Sequence, residues 1–372
     1  LLHTALRKVV AARDGKGAAF TPTNDEKFKN PILELQDAVA MAPAKEDSES
    51  PIDTELYPNA LKQLRDYVST IAHMYHNNPF HNFDHASHVS LSAKKLLNRV
   101  VTSNDDSQAY AYGIASDPLT QFAVIFATLI HDVDHGGVSN GQLIKEQTEV
   151  AILYNNKSVA EQNSVDLAWS TLMEPRFSDL RNCLYTDTCE LNRFRQLTVH
   201  AVLATDIFDE ELRTIRKNRW DKAFNRDSPS LGTHQEDVDR KATIVIEHLI
   251  QASDVAHTMQ HWHIYQKWNE RLFQEMCAAY RTGRSTNDPA PGWYQGELGF
   301  FDNYIIPLAK KLKECGVFGV SSDEYLNYAL ENRREWSTKG KESIARMVEK
   351  YSTKGEEPAP VSTTMKEEEP NK

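Results

Sequence analysis

Positive charge is in short supply in this chain. Its 372 residues carry 42 Lys and Arg against 53 Asp and Glu, for a net charge of −11. General nucleic-acid binding needs a basic face, so that class is excluded. An anionic small substrate would need a local cation, which a bound metal can supply. Cysteine is scarce too. Cys183, Cys189, Cys277 and Cys315 form no C-x-x-C pair and are too few to staple a chain this long. A reduced, cytoplasmic compartment is therefore expected. Long apolar runs are missing: the charge-free stretch from Pro118 to Ile130 is too short to span a bilayer, and no secretory leader pattern opens the chain. Leu1 rather than Met comes first, so a longer parent is expected, in which a regulatory or membrane module could be fused to this part and tether it. Alternating strand patterns and hairpin signals are scarce and no internal repeat is visible, which leaves an all-α reading.

What is present has helical period. Hydrophobic residues make up 40% of the chain, enough for a sizeable core. Residues 1–55 read as a short N-terminal helix (to Ala12), a polar loop over 13–30 and a linker around Ala42 to Pro51. A compact body is expected over 56–350 and a Pro-, Glu- and Lys-rich tail over 351–372, too polar to order itself. Within the body, Leu61, Leu64, Val68 and Ile71 make one helical stripe, and Leu91, Leu96, Leu97 and Val100 another. Polar breaks are expected at Thr102 to Pro118, at 225–235 and at 282–296, and Ser321 with Glu324 resembles a capping box opening a last helix.

Histidine carries the chemistry. Five of the 14 lie between 73 and 88: His73, His76, His81, His85 and His88. His81 and His85 are four apart, as are His131 and His135 in His131-Asp132-Val133-Asp134-His135, so each pair shares a helical face. The apolar run Phe122 to Ile130 leads into His131-Asp132. A carboxylate at such a helix end is costly to bury unless it is paired, hydrogen-bonded or metallated. Asp254 likewise ends the apolar run Ile244 to Ile250. Each of these groups has a plainer reading as a helix cap, an ion-pair partner or a satisfied core histidine. Taken together, two imidazoles and two carboxylates suit a zinc-like ion with open positions for water, and point to metal-assisted hydrolysis.

Longer segments then match a known pattern. Phe80-His81-Asn82-Phe83-Asp84-His85-Ala86 resembles the H-N-x-x-H-A signature of the class I cyclic nucleotide phosphodiesterases. His131 through Asn140 is similar to that family's HD motif and downstream Asn, and Leu153 through Glu161 to its next segment. Ala252-Ser253-Asp254 resembles the later metal Asp, and Leu298-Gly299-Phe300-Phe301-Asp302 the wall of the base pocket. Order and spacing agree from about residue 60 to 345. The resemblance implies an all-α, compact multi-helix HD-type domain that hydrolyses 3′,5′-cyclic nucleotides to 5′-monophosphates. It implies a binuclear centre of Zn²⁺ with Mg²⁺ or Mn²⁺. His85, His131, Asp132 and Asp254 would hold the zinc, Asp132 would bridge to the second ion, and His135, Asn140 and Thr205 would serve the surrounding shell. By the same carry-over His81 would protonate the departing O3′, Glu161 would keep His81 charged and oriented, and Phe300 would stack on the purine.

The chain also departs from that pattern. Where the family has the Gln that reads the purine edge, this chain has Glu297, with Gln295 near enough to take over if the segment shifts. An ionised carboxylate only accepts hydrogen bonds. Guanine offers two neighbouring donors, so cGMP is expected over cAMP. His88 stands where the family usually has Asp, Asn163 and Ser164 where it has His, and His257 where it often has Asn. Two other functions fit parts of the pattern: an HD-type hydrolase of nucleoside triphosphates, and a catalytically silent domain that binds cyclic nucleotide. The oligomeric state is not encoded in any of these features.

Overall fold

The helix the sequence makes most apolar, Pro118 to Ile130, sits at the centre of the molecule. The computed structural model describes residues 1–13, 31–42, 56–102, 112–224 and 233–351. The tail expected from 351 lies outside these residues except for Tyr351, as do most of the loop over 13–30 and of the linker, and much of the breaks at Thr102 to Pro118 and 225–235. Among the described residues there are only helices and turns, with no strand. In chain order the α-helices are α1 (Leu2–Ala11), α2 (Pro58–His73), α3 (Phe83–Thr102), α4 (Pro118–Ile130), α5 (Asn140–Lys145), α6 (Glu149–Leu153), α7 (Val159–Met173), α8 (Ser178–Leu184), α9 (Thr188–Leu203), α10 (Glu210–Phe224), α11 (His234–Asp254), α12 (Trp262–Arg281), α13 (Trp293–Phe300), α14 (Ile306–Glu314) and α15 (Val320–Tyr351). No helix among the described residues is long and apolar enough to cross a membrane.

α4 is buried from Leu119 to Ile130, as an all-round apolar helix must be. Asp117 caps it by accepting from Leu119 and Thr120 amides, and Pro118 takes the first-turn position where its missing N–H costs nothing. α3, α9 and α1 pack around it. Leu2, Ala5, Leu6 and Val9 of α1 belong to the same core as the body. Residues 31–42 cross α7, α9 and α11 and hand backbone amides to their side chains: Ile32 to Gln162 (3.1 Å), Gln36 to His200 (3.1 Å), Val39 to Thr243 (2.9 Å) and Met41 to Asp239 (3.1 Å).

Two local expectations are corrected. Ser321 and Glu324 form no capping box: α15 starts at Val320, the Ser321 hydroxyl is buried without a partner, and Glu324 pairs with Lys95 instead. The capping box that does form is Thr233 with Glu236, opening α11. The break expected over 282–296 ends early. Pro289 precedes a single 3-10 turn, Ala290–Gly292, that carries Pro291, and α13 follows at Trp293. Proline at a first helical turn starts a helix rather than breaking it.

Candidate active site

Three helix ends meet at one point. α4 delivers His131 and Asp132 just past its C-terminus, α3 delivers His85 in its first turn, and α11 delivers Asp254 as its last residue. His85 Nε2 lies 3.0 Å from Asp254 Oδ1 and 3.5 Å from Asp132 Oδ2. His131 Nε2 lies 3.2 Å from Asp132 Oδ2 and 3.3 Å from Asp254 Oδ1. Both imidazoles are about 1% exposed. His131 Nδ1 donates to the Thr128 carbonyl at 3.0 Å, which aims the Nε2 lone pair at the carboxylates. That Nε2 is buried and without a hydrogen-bond partner. A lone pair facing carboxylate oxygens requires a cation between them, either a proton or a metal ion. Burial disfavours a charged His131, yet Asp132 and Asp254 outweigh it and hold its pKa well above the ordinary value. Burial raises the pKa of Asp254 in turn, but the facing His131 and His85 imidazoles pull it far below the usual range. His85, His131 and Asp254 form a group whose ligand atoms are close enough to hold one ion, and Asp132 Oδ2 stands beside both imidazoles.

The shared helical faces expected for His81/His85 and His131/His135 do not form, because His81 lies just ahead of α3 and both His131 and His135 follow α4. The His81 ring instead lies against that of His135, with centroids 3.9 Å apart. The sequence assigned Glu161 to hold His81. The structure gives that contact to Glu275 of α12. His81 Nδ1 lies 2.5 Å from Glu275 Oε1, and Glu275 Oε2 accepts from the Phe80 and His81 amides, each at 2.9 Å. Burial alone would depress the His81 pKa, but the Glu275 carboxylate raises it to about 9. His135 moves the other way, to about 4, through burial and the charge on His81. Asn78 ties the two histidines together by donating to the carbonyls of His81 (3.0 Å) and His135 (2.7 Å).

Glu161 lies on the other flank, in the first turn of α7. It accepts from Asn140 Nδ2 at 2.8 Å, and burial with Asp206 nearby raises its pKa to about 8. Asn140 also receives the Ala160 amide (2.9 Å) and reaches Asp206 (3.3 Å). Thr205 turns its hydroxyl back to the Val202 carbonyl. Its neighbour Asp206, not singled out in the sequence, is the residue that joins Asn140 and Ser158. Two of the departures from the family pattern come together: His88 and His257 flank Trp268, with ring centroids at 5.2 and 6.2 Å. Ser164 donates to the Val133 carbonyl and Asn163 to Asp134, bracing the loop after α4.

The residues that the resemblance assigns to a base pocket lie on α13 and the π-turn after it, Phe301–Ile305, a distortion that recurs at functional sites. Phe300 is half-buried and stacks on Tyr304 at 5.4 Å. Tyr304, also unmarked in the sequence, keeps a buried hydroxyl without a partner, and burial and the Asp254 charge raise its pKa. Glu297 Oε2 accepts from the Tyr265 hydroxyl at 2.6 Å, while Gln295 is exposed. Glu297 rather than Gln295 therefore occupies the less exposed face.

Comparison with known proteins follows the same lines. The family model described as 3′5′-cyclic nucleotide phosphodiesterase matches residues 80–317. A probable 3′,5′-cyclic-AMP phosphodiesterase of Caenorhabditis elegans is 29% identical over 287 residues, 73% of this chain and 39% of that protein. A cGMP-specific 3′,5′-cGMP phosphodiesterase of Dictyostelium discoideum is 23% identical over 297 residues, 75% of this chain and 56% of that protein. The chain thus spans less than two thirds of either relative. In fold it is similar to the phosphodiesterase domain of a rhodopsin phosphodiesterase from Salpingoeca rosetta, with a TM-score of 0.62 at 22% identity, covering 78% of this chain and 84% of that one. With most of its helical body inside the matched region, the chain belongs to the 3′,5′-cyclic nucleotide phosphodiesterase family.

Proposed function

We propose that this chain hydrolyses 3′,5′-cyclic nucleotides to 5′-monophosphates at a binuclear divalent-metal centre, favouring cGMP over cAMP. The convergence of His85, His131, Asp132 and Asp254 on one point, with the His81–Glu275 pair just ahead of α3, is the observation that carries this reading. The donor set fits zinc as the tighter ion. Asp132, with Asn140, Glu161 and Asp206 beyond it, suits an oxygen-rich site for Mg²⁺ or Mn²⁺. Divalent ions bound there would offset the charge of the cyclic phosphate and ease the ionisation of water near neutral pH.

The chain's own residues account for the remaining chemistry. His81 is kept protonated by Glu275 through Nδ1, which leaves its Nε2–H free to donate. As water adds to phosphorus and the P–O3′ bond breaks, O3′ takes that proton and leaves as an alcohol. General acid help of this kind contributes about 10²–10⁴-fold. His135, neutral and with its ring against that of His81, holds the acid in place without competing for its proton. Phe300 would stack on the purine. Relatives named for cAMP and for cGMP both match, so base preference rests on Glu297, whose ionised form accepts from the guanine N1–H and N2 amine.

Turnover of both cyclic nucleotides across a panel of metals, with His81→Ala as control, tests the reading. Metal-dependent release of 5′-monophosphate that falls at least about 10²-fold in the variant supports it. Hydrolysis of nucleoside triphosphates with none of cyclic substrate, or activity indifferent to a chelator, would overturn it.

A further inference from the structure

We propose that Glu297 and Tyr265 act as a proton-set selector: ionised Glu297 reads guanine, protonated Glu297 reads adenine, and the choice between cGMP and cAMP therefore follows pH. The inference rests on the cyclic-nucleotide reading above and extends it.

The geometry around Glu297 is that of a carboxyl group held by neutral donors. Tyr265, about 1% exposed, projects from α12 and donates its hydroxyl to Oε2 at 2.6 Å. Its ring is fixed by Phe301 (5.3 Å), Trp262 (5.4 Å) and Trp336 (5.8 Å). Asn269, one helical turn further along α12, receives Trp293 Nε1 on its Oδ1 at 3.2 Å. Several charged groups on the neighbouring elements have other partners, and Lys341 of α15 lies over the Tyr294 ring at 5.4 Å. Asp302 in the π-turn pairs with Arg333 of α15 at 2.9 Å, Glu270 of α12 with Lys350 of α15 at 2.7 Å, and Asp288 receives the Ala290 amide. A half-buried carboxyl that accepts a short hydrogen bond from a neutral phenol, with no paired cation among the described residues, is poised to carry a proton. Burial pushes Glu297 up, the Tyr265 and Asn269 hydrogen bonds pull it partly back, and it settles at about 7. Tyr265 does not compete, because burial and the adjacent carboxylate hold its phenol well above the ordinary value and keep it a donor.

The two protonation states present different edges. Oε2 is an acceptor for Tyr265 in both, so an added proton resides on Oε1. Ionised, the carboxylate offers two acceptors to guanine's N1–H and N2 amine and repels the lone pair on adenine N1. Protonated, Oε1–H donates to adenine N1 while Oε2 retains a lone pair for the N6 amine. A glutamine offers the same mixed edge without needing a proton, so its reading would not follow pH.

Both substrates in one vessel, at equal concentration from about pH 6 to about pH 8, test this directly. The product ratio reports the ratio of kcat/KM values, in which the titrations of His81 and the metal site cancel. The cGMP-to-cAMP ratio should rise about tenfold or more across that range. It should stay flat in Glu297→Gln. In Tyr265→Phe, which loses a donor that favours the ionised form, the rise should move to higher pH. A wild-type ratio that favours cGMP equally at every pH overturns the selector and leaves the cyclic-nucleotide reading intact. A ratio that falls with rising pH, or a Glu297→Gln profile that still rises, also overturns it. No turnover of either nucleotide in the presence of metal overturns the parent reading and the selector with it.

Discussion

Glu275→Gln removes one charge and leaves nearly everything else in place. The amide oxygen can still accept from the Phe80 and His81 backbone amides, now received by Glu275 at 2.9 Å, so the loop keeps its anchor. What goes is the carboxylate 2.5 Å from His81 Nδ1. His81 then falls from about 9 to its ordinary 6.5 or below, since burial alone lowers it. That interval corresponds to about 3.4 kcal/mol of preference for the charged ring. With about a quarter of the His81 side chain in solvent, screening trims this to about 2–3 kcal/mol. At pH about 7.5 the protonated fraction drops from about 97% to about 9%. kcat should fall about tenfold from protonation alone, and further from lost orientation, with KM little changed because Glu275 does not face substrate. The alkaline limb of the kcat profile should move from near 9 toward 6.5. The pair also links stability to pH. The His81 share is full below about 6.5 and lost as pH rises through 9, and the Glu275 share is full above about 4.5 and lost as pH falls through 2. A variant with wild-type kcat and an unmoved alkaline limb would refute the assignment of His81 as the acid and Glu275 as its partner.

Other consequences are independent of that pair. His131→Ala should lose bound metal by elemental analysis and lose turnover together; retention of either would sink the four-residue centre. A chelator should lower the Tm, because metal at a hundredfold excess over its Kd contributes about 2.7 kcal/mol to the folded state, and an unchanged melting curve speaks against bound metal. Gly340→Ala places a Cβ 2.9 Å from the Trp336 ring. The overpacking cost of about 1–3 kcal/mol exceeds the helix-propensity gain of about 1 kcal/mol, so urea unfolding should show a net loss of about 1 kcal/mol. Thr243→Val strips the acceptor from the buried Val39 amide; a loss of about 1–3 kcal/mol is expected, with faster hydrogen exchange at Val39 as the local readout.

Much of the architecture is readable from residue pattern because helices encode their faces locally. The apolar run before His131 must be buried all round, and burying it brings a His-Asp pair to a helix end inside the core. The i,i+4 spacing of His81 and His85 predicts one helical face, but His81 lies just before α3, and His131 and His135 lie past the end of α4, so their placement is settled by packing instead. Partnerships that cross the fold leave no such mark. Glu275 lies 194 residues from His81 and reads in sequence as one acid among several on an amphipathic helix. Asp206 hides beside the more conspicuous Thr205, and Asn78 and Tyr265 carry no periodic signature.

The amino-acid sequence alone determined that the chain is helical and which residues could ligate a metal, since both follow from local period and side-chain chemistry. Only the tertiary structure decided which acid charges His81, that Glu161 serves Asn140 instead, and that Glu297 shares its carboxyl with a buried tyrosine. Those outcomes depend on distance and desolvation between segments far apart in the chain, quantities that exist only once the helices have packed.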